Sequence, residues 1–364
     1  MSIVFYSVTI LKRAADYLMS IKIFTKLFSC LAIIALLGNI VPANVRAATT
    51  AAPFKYTRIF YFRDNALARQ SLYSYYKFID VLAPQSYSFD STGKLVDDMN
   101  PTVLDFAKQH NIKVMPLVTN GKFSQDGYHS ILDDKPAEDA AIASLVTEAQ
   151  KEGYWGWQID FEQMDASYRD KFSAFVKNAA DAMKQNGLVL SVAVVAKVSD
   201  NPADYPNNLW QNLIGVYDYA SLATSTDFIS LMSYDDPNSK GPVVQYSWLK
   251  QVLDYALKFI PNDKLSLGIP LYYWQWNDVT GKRIGIGGRD GIYSAFKKHY
   301  ITVHYSAKHE APYLTYWSYS KSYTIWYENA QSVKAKVALI KKYKLYGFSA
   351  WALGLELPSI YNSI

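Results

Sequence analysis

From about residue 54 to the C-terminus the chain alternates β-rich apolar runs with amphipathic stretches of helical spacing, and it does so eight times. No other feature restricts the fold as strongly. The strand-like runs are 57–62, 79–87, 112–118, 155–161, 188–196, 227–234, 265–273 and 345–352. Between them the spacing predicts helices. In 136–151 and 168–186 apolar residues recur every three or four positions, and Gly153 and Gly187 follow as stop signals. Neighbouring parallel strands need a crossover of about this length, so the alternation predicts a parallel sheet. Eight units without a linker predict class α/β and a closed (β/α)8 TIM barrel. A doubly wound sheet is the alternative, and it opens on a glycine-rich turn. The run Gly285–Gly291 lacks the G-x-G-x-x-G spacing and follows no strand that starts a βαβ unit, so it reads as a flexible loop. The spacing is uneven once, with about 70 residues between the seventh and eighth runs. There, 300–306, 313–318 and 322–327 read as short strands, so 278–328 is expected to be a small α+β insertion on the upper rim.

Composition removes several function classes. The 364 residues are 50% hydrophobic and 19% charged, which excludes a disordered or fibrous chain. The single cysteine, Cys30, excludes a disulfide framework or a thiolate metal site. It lies in an N-terminal segment where Lys22 and Lys26 precede the apolar stretch Leu27–Leu37 and the small-residue site Val45-Arg46-Ala47. Residues 1–47 therefore read as a secretory signal peptide, with 1–18 untranslated if Met19 is the start. Gly38, Asn39 and Pro42 stop the apolar run short of the roughly 20 residues a membrane span needs, so no stable span is expected. Lys12, Arg13, Lys22, Lys26 and Arg46, against Asp16, carry four of the five formal positive charges. The chain beyond residue 47 is close to neutral and has no basic stripe, which argues against nucleic acid as a partner. The expectation is a secreted or cell-envelope monomer.

Chemistry concentrates in Trp155-Gly156-Trp157-Gln158-Ile159-Asp160-Phe161-Glu162. Side chains on a strand alternate faces, so Trp157, Ile159 and Phe161 point one way and Gln158, Asp160 and Glu162 the other. In a parallel barrel the first set packs under the helices and the second faces the interior and, near the carboxyl end, the mouth. Two carboxylates sharing a confined space raise the pKa of at least one of them, which suits a general acid near neutral pH. The plain alternative is a solvated or ion-paired strand end.

With these residues in view, the chain resembles glycoside hydrolase family 18, the chitinases and related N-acetylglucosaminidases, whose fourth barrel strand carries D-G-x-D-x-D-x-E. The glycine and the final D-x-E match; Trp155 and Gln158 stand where the family has acids. Leu231-Met232-Ser233-Tyr234-Asp235 is similar to the sixth-strand motif, Leu267–Tyr272 to the seventh strand, and Gly347–Glu356 to the eighth. Trp326-Tyr327-Glu328 and Ser332-Val333 are similar to the bacterial branch that cuts peptidoglycan, including spore-cortex enzymes.

The resemblance implies a substrate-assisted retaining mechanism on polysaccharides containing N-acetylglucosamine. Glu162 would be the general acid and base. Asp160 would hold the acetamido N–H, and Tyr234 would orient the acetamido oxygen. Met232 and Asp235 would line the floor, with Trp351 as the base under the sugar. Gln158, Tyr272, Tyr87 and Asn120 complete the expected substrate-binding set. Gln158 has two readings: an amide in place of the Asn common in the peptidoglycan-cutting branch, or a first step toward lost activity. The aromatic residues Tyr272, Tyr273, Trp274 and Trp276, and Tyr313, Tyr316, Trp317, Tyr319 and Tyr323 in the insertion, either line outer subsites by stacking on sugar faces or pack the insertion's own core. The five histidines show no metal-ligand spacing, and no cofactor is implied. Two non-enzymatic readings stay open: a glycan-binding barrel without turnover, and an adhesin that presents the insertion to a protein partner.

Overall fold

The structure is a computed structural model and describes residues 54–364 except 122, 124 and 207. The expected signal peptide, 1–47, lies outside the described residues. Eight parallel strands close on themselves: Thr57–Phe62, Val81–Phe89, a third in two pieces (Lys113–Val114 and Leu117–Thr119), Gly156–Asp160, Val189–Val195, Phe228–Met232, Leu265–Pro270 and Gly347–Trp351. The first strand pairs with the eighth on one side and the second on the other, which closes the barrel. This is the (β/α)8 barrel that the alternation predicts. Met115 and Pro116 divide the third strand, where a proline without an N–H cannot continue the ladder.

Strand five shows why these runs become barrel strands. Val189–Val195 is almost entirely β-branched or small and buried over its centre, as a strand covered on both faces must be. The helices lie outside. Lys135–Glu152 ends at Gly153, whose φ of 68° is the left-handed stop that its glycine suggests. Trp157, Ile159 and Phe161 are fully buried in the layer between sheet and helices, beside Leu145, Phe172 and Phe175. Trp157 Nε1 also donates to Leu145 O at 2.8 Å. Ile59, Tyr61, Val81, Ala83, Met115 and Phe228 fill the interior, and Trp155 closes its lower end against Phe228 and under Lys113. Gly156 is required where it stands, because a Cβ there would lie 1.9 Å from Val189 O on the next strand.

The insertion is a five-stranded antiparallel sheet of Tyr273–Asn277, Lys282–Gly287, Ile301–Ser306, Ala311–Ser318 and Lys321–Trp326, with the helix Arg289–Lys298. It starts at Tyr273, earlier than the expected 278, and the seventh barrel strand stops at Pro270. The reason is pairing: Tyr273–Asn277 bonds antiparallel to both Lys282–Gly287 and Lys321–Trp326. Gly285–Gly291 is likewise no flexible loop, since it ends one strand and begins a helix. Two of its glycines, Gly287 and Gly291, make room for the Tyr273 side chain. A Cβ on Gly287 or Gly291 would come within 2.7 or 2.3 Å of Tyr273 Oη. Among the described residues no helix is long and apolar enough to cross a membrane.

Candidate active site

The carboxyl ends of the strands enclose a cavity of about 610 Å³. Strand four brings Asp160 and Glu162 to it, strand six Met232, Tyr234 and Asp235, strand seven Tyr272 and strand eight Trp351. The cause is parity: with the odd residues of strand four committed to the helical layer, the even ones point inward. Asp160 is 3% exposed, and Glu162, just beyond the last paired residue, is partly open.

Electrostatics follows burial. Desolvation pushes the Asp160 carboxyl well above its ordinary value, with the charge of Glu162 adding to it. Glu162 is pushed up to about 7, first by desolvation and then by the charge of Asp235. Tyr272 Oη donates to Asp235 Oδ1 at 2.6 Å, and this bond and Arg283 offset part of the burial that raises Asp235. Tyr234 is pushed far up by burial, so its hydroxyl keeps its proton and remains a donor. Trp351 lies against Tyr61, with ring centroids 5.2 Å apart.

The backbone of Glu162 is held by groups outside the cavity. Asn120, at the end of strand three and fully buried, donates from Nδ2 to Glu162 O at 2.8 Å and accepts from Glu162 N at 3.0 Å. Tyr217 Oη donates to Phe161 O at 2.7 Å. Immediately after, the chain turns at Gln163, which has a φ of 57°. The end of strand four is therefore clamped from both flanks.

Three expected substrate contacts are placed elsewhere. Asn120 supports Glu162 and does not line the cavity. Gln158 lies one layer below, fully buried; its Nε2 donates to Ser191 Oγ at 2.9 Å and its Oε1 has no partner. Tyr87 points out of the barrel, its hydroxyl 2.8 Å from Tyr154 Oη and its ring edge-on to Trp157. A register shift between Gln85 and Tyr87 inverts the alternation of strand two and turns this ring away from the mouth.

Of the aromatic residues expected to line outer subsites, only Tyr272 reaches the cavity. Tyr273, Tyr316 and Tyr323 pack the insertion's own core. Trp276 Nε1 docks on Gly241 O at 2.7 Å, and Tyr313 stacks between His304 and Trp326. Trp317 and Tyr319 are exposed.

Residue-level reading of the sequence missed Tyr61 and Arg63 at the end of strand one, Trp248, and an apolar wall between Val195 and Ile214. For Tyr61 a signal existed, since Ile59 and Tyr61 alternate with Phe60 and Phe62. The wall carries no such periodicity.

Comparison with known proteins bears directly on this arrangement. The sequence model described as Glycosyl hydrolases family 18 matches residues 57–356, nearly the whole described chain. The chain belongs to glycosyl hydrolases family 18. It is 28% identical to the "Uncharacterized glycosylase YvbX" of Bacillus subtilis over 84% of this chain and 89% of that protein. It is also 26% identical to the cortical fragment-lytic enzyme of the same organism, over 77% and 66% of the two chains. Among solved structures, a chitinase from Chromobacterium violaceum superposes with a TM-score of 0.75 and 26% identity, covering 85% of this chain and 98% of that one. This family 18 member is a glycosidase.

Proposed function

We propose that this glycosidase cleaves β-linked N-acetylglucosamine glycans of the bacterial wall type, with retention, using Glu162 as general acid and base. The observation that carries the reading is the shared burial of Asp160 and Glu162 in one cavity, with Glu162 raised to about 7 so that it holds a proton near neutrality. In the first step Glu162 donates that proton to the glycosidic oxygen while the sugar's own acetamido carbonyl attacks the anomeric carbon. The bond to the leaving sugar breaks, and a cyclic oxazolinium forms. With the proton on Glu162, the like charge that raises Asp160 is absent, and Asp160 in its ionised form accepts the acetamido N–H and stabilises the positive charge that develops on it. Tyr234 donates to the acetamido oxygen, and Trp351 lies beneath the ring. Glu162, now ionised, takes a proton from the water that attacks the anomeric carbon from the face the leaving sugar vacated, the bond to the acetamido oxygen breaks, and retention results.

Chitin and wall glycan share this bond, and the cortex-lytic relative supports the second. A glycan-binding barrel without turnover is the competing reading, and the amide at Gln158, with an unpartnered Oε1 beneath the acids, is the observation in its favour. The decisive experiment measures turnover and oligosaccharide binding together, on purified peptidoglycan and on chitotetraose. Glu162→Gln is expected to lower kcat by about 10²–10⁴ and to leave binding in place. Negligible turnover by both wild type and variant, with binding intact, would establish the binding barrel instead.

A further inference from the structure

We infer that the end of the insertion farthest from the barrel is a docking surface for an anionic lipid bilayer, which holds the enzyme on a membrane with its cavity still open. The insertion sheet has two ends. Tyr273 follows barrel strand seven closely, and Ile286 and Gly287 line the cavity, so this end belongs to the barrel. Asn277, paired with both Lys282 and Tyr323, marks the other. Three turns close that far end: 278–281, Tyr319 with Ser320, and the junction between the helix Arg289–Lys298 and the strand Ile301–Ser306. His299 stacks on Tyr316 with ring centroids 4.4 Å apart, which brings the end of the helix to the same edge.

Apolar side chains gather there. Of the thirteen large hydrophobic residues exposed among the described residues, nine lie in the insertion and only four on the much larger barrel. At the far end Val279 and Trp317 are 71% and 69% exposed, and Tyr300 and Tyr319 stand out almost completely. A single exposed apolar residue needs no explanation, but a cluster on adjoining turns does. Lysines share these turns. Lys282, Lys297, Lys298 and Lys321 lie on or beside them, and among the described residues none of their ammonium groups is in an ion pair. The carboxylate on these turns is Asp278, which accepts from Ser322 Oγ.

Charge and shape together select the partner. Tyrosine and tryptophan rings settle at headgroup depth, and lysine stems lie along apolar surface while their ammonium groups meet anionic headgroups. A glycan is gripped instead by polar groups fixed around a concave site, and here the cations are long side chains on turns. At about 3.4 Å per residue, the strand Lys282–Gly287 puts this end roughly 17 Å from the cavity lining, so a membrane at the tip leaves the mouth clear.

The test follows amide hydrogen exchange of the full chain titrated with vesicles of phosphatidylcholine, alone or with about one third phosphatidylglycerol. Exchange read by segment separates the tip from the apolar stretch Leu27–Leu37 of the same chain. Anionic vesicles are expected to slow exchange in 297–301 and 317–322, neutral ones to need at least about tenfold more lipid, and high salt to weaken the effect. Trp317→Ser/Tyr319→Ser and Lys297→Ser/Lys298→Ser/Lys321→Ser should each raise the lipid needed for half-maximal protection by about tenfold. Unfolding temperature and activity on chitotetraose should not change in either variant. Protection of the tip that is absent on anionic vesicles, equal on neutral ones, or kept by both variants would overturn the docking surface. A tip slowed by soluble polyphosphate and not by vesicles would overturn it too, in favour of a polyanion in solution.

Discussion

At the scale of single residues, the proposed chemistry comes from two carboxylates that water cannot reach freely. Burial contributes more than charge to the raised pKa of Glu162, and Asp235 supplies the smaller share. A general acid works only while protonated, so kcat/KM should fall as pH rises through about 7. Asp235→Asn removes a negative charge that favours the protonated form. The basic limb of the profile should then move to lower pH by roughly half a unit to one unit, and stay well above an ordinary carboxylate because desolvation persists. A pH series of kcat/KM checks this, and a limb that stays put or moves upward refutes it. The pairing of Asp160 with Glu162 was legible from strand alternation alone. The part played by Asp235 was not, since its effect on Glu162 acts between strands.

Elements add what residues lack, which is position. Strand four ends at Asp160, and Glu162 lies just past it, where nothing in the ladder fixes its backbone. Asn120, reaching from the end of strand three, supplies both missing bonds. Asn120→Ala is expected to lower kcat by about 10–100-fold with a much smaller change in KM, because the acid loses its alignment and the rest of the cavity keeps its shape. Asn120→Asp, which can still accept from Glu162 N, should fall between the two. Steady-state kinetics of the three proteins separates this from a purely structural role, for which unfolding temperature would change and the kcat-to-KM pattern would not. Asn120 could be picked out by its place after strand three, but its target could not. Tyr87 shows the limit of parity from the opposite direction: one bulge in strand two reverses the faces of the residues beyond it.

The whole molecule is joined at Arg289, where the insertion meets both ends of the described chain. Its guanidinium donates to Ser71 Oγ at 3.0 Å and Gln70 Oε1 at 2.8 Å on the helix Ala66–Tyr75, and lies 3.8 Å from Glu356 just past strand eight. Glu356 is buried, accepts from Gly354 N and Tyr361 Oη, and is raised by desolvation. Arg289→Met would strand that carboxylate without its cation. The expected loss of stability is about 3 kcal/mol, the low end for a broken buried pair because Glu356 can take up a proton. Denaturant unfolding measures it, and Arg289→Met/Glu356→Gln should recover most of the loss. Equal stability of wild type and the single variant would refute this account of the joint.

The sequence by itself determined the eight strands, their parallel closure and the inward face of strand four, because these depend on periodicity, and periodicity is local. It also carried the family motifs, each of which lies within one strand end. Tertiary structure alone decided that Tyr273–Asn277 leaves the barrel for the insertion, that Gln158 sits beneath the cavity, that Asn120 grips the main chain of Glu162, and that apolar residues between Val195 and Ile214 line the cavity. Each of these is a contact between segments far apart in the chain. Such contacts leave no repeating pattern in either partner, so they exist only once the barrel has closed.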